Sequence, residues 1–102
     1  MGTLLARLTV NGNSIELNPF TEQLLARTTA GLVSSLRDAE EWHNLELHLE
    51  QRDLHITVNG EELTLTPFPS DVITNTLIAL ISSLKGVDRI DSLKIEVRAA
   101  QI

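Results

Sequence analysis

Polarity alternates with a period of two across residues 4–10. Leu4, Ala6, Leu8 and Val10 share one face, and Leu5, Arg7 and Thr9 share the other. This is the pattern of a half-buried strand, whose successive side chains point to opposite faces. Asn11-Gly12 follows, and Asn-Gly is the strongest short signal for a two-residue type I′ turn, which needs positive φ at both positions. Folding there sets Leu8 opposite Ile15, Ala6 opposite Leu17 and Arg7 opposite Glu16. Apolar meets apolar and charge meets counter-charge, so the register is self-consistent. Pro19 ends the second strand, since proline cannot serve a central ladder. The period then becomes helical over residues 21–36, with Leu25, Leu32 and Leu36 in one apolar stripe and Thr28, Gly31 and Ser35 as a flank of small side chains. After an acidic connector, residues 44–50 alternate again through Leu45, Leu47 and Leu49, and Trp42 is expected to plug the core beside them.

The same pattern returns 48 residues later. Thr9-Val10-Asn11-Gly12, Pro19-Phe20 and Ser34-Ser35-Leu36 recur as Thr57-Val58-Asn59-Gly60, Pro67-Phe68 and Ser82-Ser83-Leu84. Residues 4–50 slide onto 52–98 without a gap, and 13 of the 47 aligned pairs are identical. We read this as an internal duplication, and two copies are too few for a solenoid. The second hairpin sets Ile56 opposite Leu63 and Leu54 opposite Leu65. The second helix is expected over 70–84, with Ser70 as N-cap, Ile73, Leu80 and Leu84 in its stripe, and Thr76, Ala79 and Ser83 as its flank. Lys85 and Gly86 supply a basic last turn and a left-handed stop; Arg37 and Asp38 stand at those positions in the first copy and stop it more weakly. A last strand follows, through Leu93, Ile95 and Val97.

Only Gln51-Arg52 separates the third strand from the fourth, so a tight hairpin there sets Leu49 opposite Leu54 and Leu47 opposite Ile56. Short connections join neighbouring strands. If a pseudo-twofold axis relates the copies, the sixth strand neighbours the first in the same way. The expected fold is α+β, ββαβ-ββαβ. It forms one six-stranded, mostly antiparallel sheet in the order 2-1-6-3-4-5 with both helices on one face, and residues 1–102 make one domain. The alternative closes each ββαβ unit on itself.

Composition then removes function classes. Fourteen acidic residues against eight scattered basic ones give a net charge of −6, and there are two Phe, one Trp and no Tyr. Phosphate backbones are held by clustered Lys and Arg, and single-stranded bases by aromatic platforms, so nucleic acid is not an expected partner. The longest uncharged run, residues 72–84, is too short to cross a bilayer, and no secretion signal is visible at the N-terminus. Cysteine is absent, which fits a reducing cytoplasm and excludes thiol chemistry.

The sharpest chemical candidate is the pair His48 and His55, opposite each other on the outward face in the hairpin register. Two imidazoles across adjacent strands can share Zn²⁺ or Ni²⁺, with Glu46 and Glu50 near enough to complete the shell. Against a site built into the repeat, their counterparts are Glu96 and Arg7. The carboxylate pairs Glu40-Glu41, Glu61-Glu62 and Asp88 with Asp91 fall in loops and turns, where charges stay wet. The Ser-Ser pairs have no base at defined spacing, and no glycine-rich phosphate loop occurs. The sequence therefore does not favour an enzyme, and no cofactor is expected. Asn18-Pro19-Phe20 resembles the tripeptide bound by endocytic adaptor modules, but its place at a strand-to-helix junction reads Phe20, like Phe68, as a plug under a helix start.

The helices' outward faces lack the Glu and Lys of a solvated helix. Ala26, Ala30 and Ser34 on the first and Thr74, Asn75, Ile78 and Ser82 on the second form the expected interface. The leading expectation is a non-catalytic interaction or structural module that makes a homodimer, or meets another protein, through this layer. The alternative is a small metal-binding protein using His48 and His55.

Overall fold

A computed structural model describes residues 3–36, 42–84 and 86–100. The chain runs β1 (Thr3–Val10), β2 (Asn13–Ile15), α1 (Pro19–Ser34), β3 (Asn44–Glu50), β4 (Asp53–Val58), β5 (Glu61–Glu62), α2 (Pro67–Ser82) and β6 (Ser92–Ala100). The six strands make one sheet in the order β2-β1-β6-β3-β4-β5, and every pairing is antiparallel. Strand β6 lies between β1 and β3, so the sheet cannot be cut between residues 50 and 53 without separating paired strands. The arrangement with two separately closed units is excluded.

The period-two pattern fixes this register. Leu8, Ile95, Leu47 and Ile56 form one row across the four central strands, with Val10, Leu93, Leu49 and Leu54 above it and Ala6, Val97, Leu45 and Val58 below. All twelve are buried. A slip of one residue in any strand would turn its whole apolar set to solvent. Leu25, Ala26 and Val33 of α1 and Ile73, Leu77 and Ile81 of α2 join the same core cluster, so both helices cover this one face. Trp42 and Ile90 pack, partly buried, against its edge.

The turns behave as their residues demand. Asn11 and Gly12 have φ of 51° and 82°, and Asn59 and Gly60 have 50° and 85°. Gln51 and Arg52 also adopt positive φ, which the two-residue β3–β4 connection imposes on residues without a preference for it. A Cβ built on Gly12 or Gly60 meets nothing within 4 Å, so backbone conformation alone opposes a side chain there. Gly12→Val and Gly60→Val should each cost about 1–2 kcal/mol in urea unfolding. No loss at either site would mean the turns are not type I′.

Three local expectations shift. Ladders β1–β2 and β4–β5 keep the expected registers, Leu8 with Ile15 and Leu63 N–H to Ile56 O at 2.8 Å, but stop before Leu17 and Leu65. The cause is that the helices begin two or three residues earlier than expected, on the prolines themselves. Proline suits the first turn because its missing N–H has no helical partner there. The N-caps are thus Asn18, whose Oδ1 accepts from Thr21 N at 2.8 Å, and Thr66, while Ser70 lies inside α2. Gly86 does carry a positive φ, 84°. Lys85, Arg37, Asp38 and the Glu40-Glu41 pair lie outside the described residues.

The third shift is a rotation of both helices. Their buried residues are Leu25, Ala26, Thr29 and Val33 on α1 and Ile73, Thr74, Leu77 and Ile81 on α2. Leu32, Leu36, Leu80 and Leu84, expected on the central stripe, are only partly buried at its margin. On α1 the small residues Ala26 and Thr29 on the sheet side let the helix settle close to β1. Among the described residues no helix is long and apolar enough to cross a membrane.

Candidate functional site

Rotating the helices changes what they show to solvent. Ala26 and Thr74 are 0% and 1% exposed, so these two expected interface residues belong to the chain's own core. Ala30 and Ile78 are half-buried, while Ser34, Asn75 and Ser82 are exposed. The phenylalanines are not plugs. Phe20 is 74% exposed and Phe68 77%, and one turn further on Leu24 and Val72 are 40% and 41% exposed. Both rings lie in the first turn of their helices, on the side turned away from the buried residues Leu25 and Ile73.

Each helix therefore presents an outward stripe at helical spacing: Phe20, Leu24, Arg27 and Gly31 on α1, and Phe68, Val72, Asn75 and Ala79 on α2. The stripes match position for position at the 48-residue offset. Three hydroxyls along this layer bond carbonyls of their own helices. Ser35 Oγ donates to Leu32 O at 2.7 Å, Thr76 Oγ1 to Val72 O at 2.7 Å and Ser83 Oγ to Ala79 O at 3.1 Å. Arg27 and Asp71 are exposed and engage no partner among the described residues, whereas Asn75 Oδ1 accepts from Arg52 Nη2 at 3.0 Å.

The opposite face of the sheet is polar. His48 and His55 are direct cross-strand partners, as the register requires. The His55 ring is held by carboxylates at both nitrogens, with Nε2 3.1 Å from Asp53 Oδ2 and Nδ1 3.4 Å from Glu62 Oε2. Glu46 is taken up by Lys94, 3.2 Å away, and Glu50 stands at the end of the ladder, in backbone register with Asp53 and Ser92. Among the described residues no group of three or more His, Asp or Glu side chains converges on a point where a metal ion could sit. Asp53 by its hydrogen bond, then Glu62 by its own, raise the His55 pKa above the ordinary imidazole value. Lys94 is raised likewise, first by the hydrogen bond to Glu46 and then by the charge of Glu96.

A folded pKa raised above the unfolded one means that His55 favours folding fully below about pH 6.5, the ordinary imidazole value. That contribution is lost as pH climbs through the raised folded value. NMR titration should place the His55 midpoint above the ordinary value, and Asp53→Asn should bring it back down. An unchanged midpoint in that variant would show that Asp53 does not hold the ring.

No protein-family model, no curated protein and no solved structure matches the chain.

Proposed function

We propose that this chain is a non-catalytic interaction module that self-associates through its helical layer, with a second copy seated over the two apolar stripes. The observation that carries this reading is the pair of phenylalanines, each about three-quarters exposed at the same position of its helix, with Leu24 and Val72 beside them. Single exposed apolar residues need no explanation; what supports the reading is that an aromatic and an aliphatic side chain recur, one turn apart and exposed, at the matching positions of both helices. A second copy of the chain brings the same pair of patches, so a twofold axis lets each cover its counterpart. The charges agree. Arg27 on the α1 stripe and Asp71 beside the α2 stripe have opposite sign, and a reciprocal contact across the axis would pair both. The sheet's polar face would stay in water, and a cytoplasmic location suits a chain with no cysteine.

Sedimentation equilibrium tests the reading. Wild type should be dimeric at high micromolar concentration. Phe20→Ser with Phe68→Ser should give a monomer with an unchanged circular dichroism spectrum, since neither ring supports the core. A monomeric wild type at that concentration removes self-association as the function of this layer.

A further inference from the structure

The polar sheet face holds a depression of about 280 Å³ where β1, β6 and β3 run side by side. Its outward-facing lining is Leu5 and Arg7 from β1, Glu96 and Arg98 from β6, and Asn44 and Glu46 from β3. The register brings these six together in two adjacent rows, Leu5–Arg98–Asn44 and Arg7–Glu96–Glu46. No contiguous stretch of sequence contains the set.

The charges within it are unevenly matched. Arg7 faces Glu96 across the ladder, yet among the described residues the Arg7 guanidinium has no hydrogen bond or ion pair. Glu96 instead leans to Lys94 Nζ at 3.6 Å, which also holds Glu46 at 3.2 Å. One lysine thus occupies both carboxylates. Arg98 uses only its Nε, donating to Asn44 Oδ1 at 3.3 Å. Two guanidinium forks therefore border the cavity with most of their donors unspent, on a chain whose net charge is −6. Leu5, 47% exposed in the same row, supplies an apolar wall.

We propose that this depression binds a small organic carboxylate, its head on Arg7 and Arg98 and a short apolar tail along Leu5. Guanidinium forks match a carboxylate in two parallel hydrogen bonds. A phosphate dianion fits less well, because Glu46 and Glu96 line the same walls and would repel the second charge.

Hexanoate is the probe, followed by amide NMR shifts on the full chain at low salt. Saturable shifts are expected at residues 5–7, 44–46 and 96–98. They should weaken at least about tenfold in Arg7→Gln with Arg98→Gln, whose spectrum elsewhere should match wild type because both side chains lie on the surface. Leu5→Ser should weaken hexanoate and leave the response to acetate unchanged. Shifts absent at saturating hexanoate, equal with hexanol, or retained in the double arginine variant would overturn the site. Inorganic phosphate binding as tightly as hexanoate would overturn the carboxylate assignment.

Discussion

Deleting residues 92–102 unfolds the whole chain, not its second half alone. Strand β6 pairs with β1 along eight residues and with β3 along seven. Its removal leaves two edges at the centre of the sheet and strips one side from each of the three apolar rows. Leu93, Ile95 and Val97 are 2%, 0% and 1% exposed, and burying each contributes about 1.5–3 kcal/mol. A domain of this size has only about 5–15 kcal/mol in total. The hydrogen bonds at the ends point the same way. Asn11 Oδ1 accepts from Asp91 N at 2.7 Å and Ser92 N at 2.9 Å, so the first hairpin's turn also holds the entry to β6. Circular dichroism of the truncated chain should show no cooperative melt, and Ile95→Ala in the intact chain should cost about 2–5 kcal/mol. A truncated chain, or the fragment 1–52, that melts cooperatively as a monomer would contradict the exchanged sheet.

Strand order and register are legible in the sequence because each rests on short-range signals. Alternation over residues 4–10, 45–49, 54–58 and 93–97 assigns faces, Asn-Gly assigns the turns, and the two-residue link at Gln51-Arg52 places β3 beside β4. The β1–β6 pair follows only on the added condition that a pseudo-twofold axis relates the two stretches, and the sheet contains that pair. Helix orientation is harder to read. At 100° per residue, Leu32 and Leu36 look as inward as Leu25, and nothing in the sequence says that Ala26, Thr29 and Thr74 will face the strands instead. Part of the answer lies in Glu22 and Gln23. Glu22 Oε2 accepts from Ala6 N at 2.9 Å and Gln23 Nε2 donates to Leu4 O at 2.6 Å, capping the open edge of β1 beyond the short β2. These bonds hold the first turn of α1 at the edge of β1, and the rest of the face follows from that anchor.

Other roles stay hidden in the sequence because they depend on partners far along the chain. Asn11 and Asn59 are legible there as turn formers only. In the fold each also accepts two backbone N–H groups at the start of a strand in the other half, Asn59 from His43 at 2.7 Å and Asn44 at 3.1 Å. The cavity lined by Arg7 and Arg98 is equally invisible, since its six residues come from three strands. The exposure of Phe20 and Phe68 depends on how each helix is turned against the sheet, which the hydrophobic pattern does not give.

The inward rotation of the helices also leaves a defect, and repairing it should stabilise the chain. Thr29 Oγ1 and Thr74 Oγ1 are buried without a hydrogen-bond partner, the two such side-chain atoms among the described residues. Three exposed hydroxyls on these helices, at Ser35, Thr76 and Ser83, bond their own helix carbonyls, yet these two buried ones do not. An unmet hydroxyl in an apolar environment costs about 1–3 kcal/mol. Valine has nearly the same shape, shares the β-branch and has a similar helix propensity, so Thr→Val removes the polar atom with little change in packing. Thr29→Val and Thr74→Val should each raise stability by about 1–3 kcal/mol, with a gain in melting temperature of about 4–8 °C per kcal/mol for a chain of this length. Thr→Ser at the same sites keeps the hydroxyl and opens a methyl-sized gap, so it should destabilise. Thermal melts at matched, dilute protein concentration keep any self-association from entering the comparison. If valine proves neutral or costly at both positions while serine is tolerated, the hydroxyls have partners in solution, and the helices sit further from the strands than full burial of Thr29 and Thr74 requires.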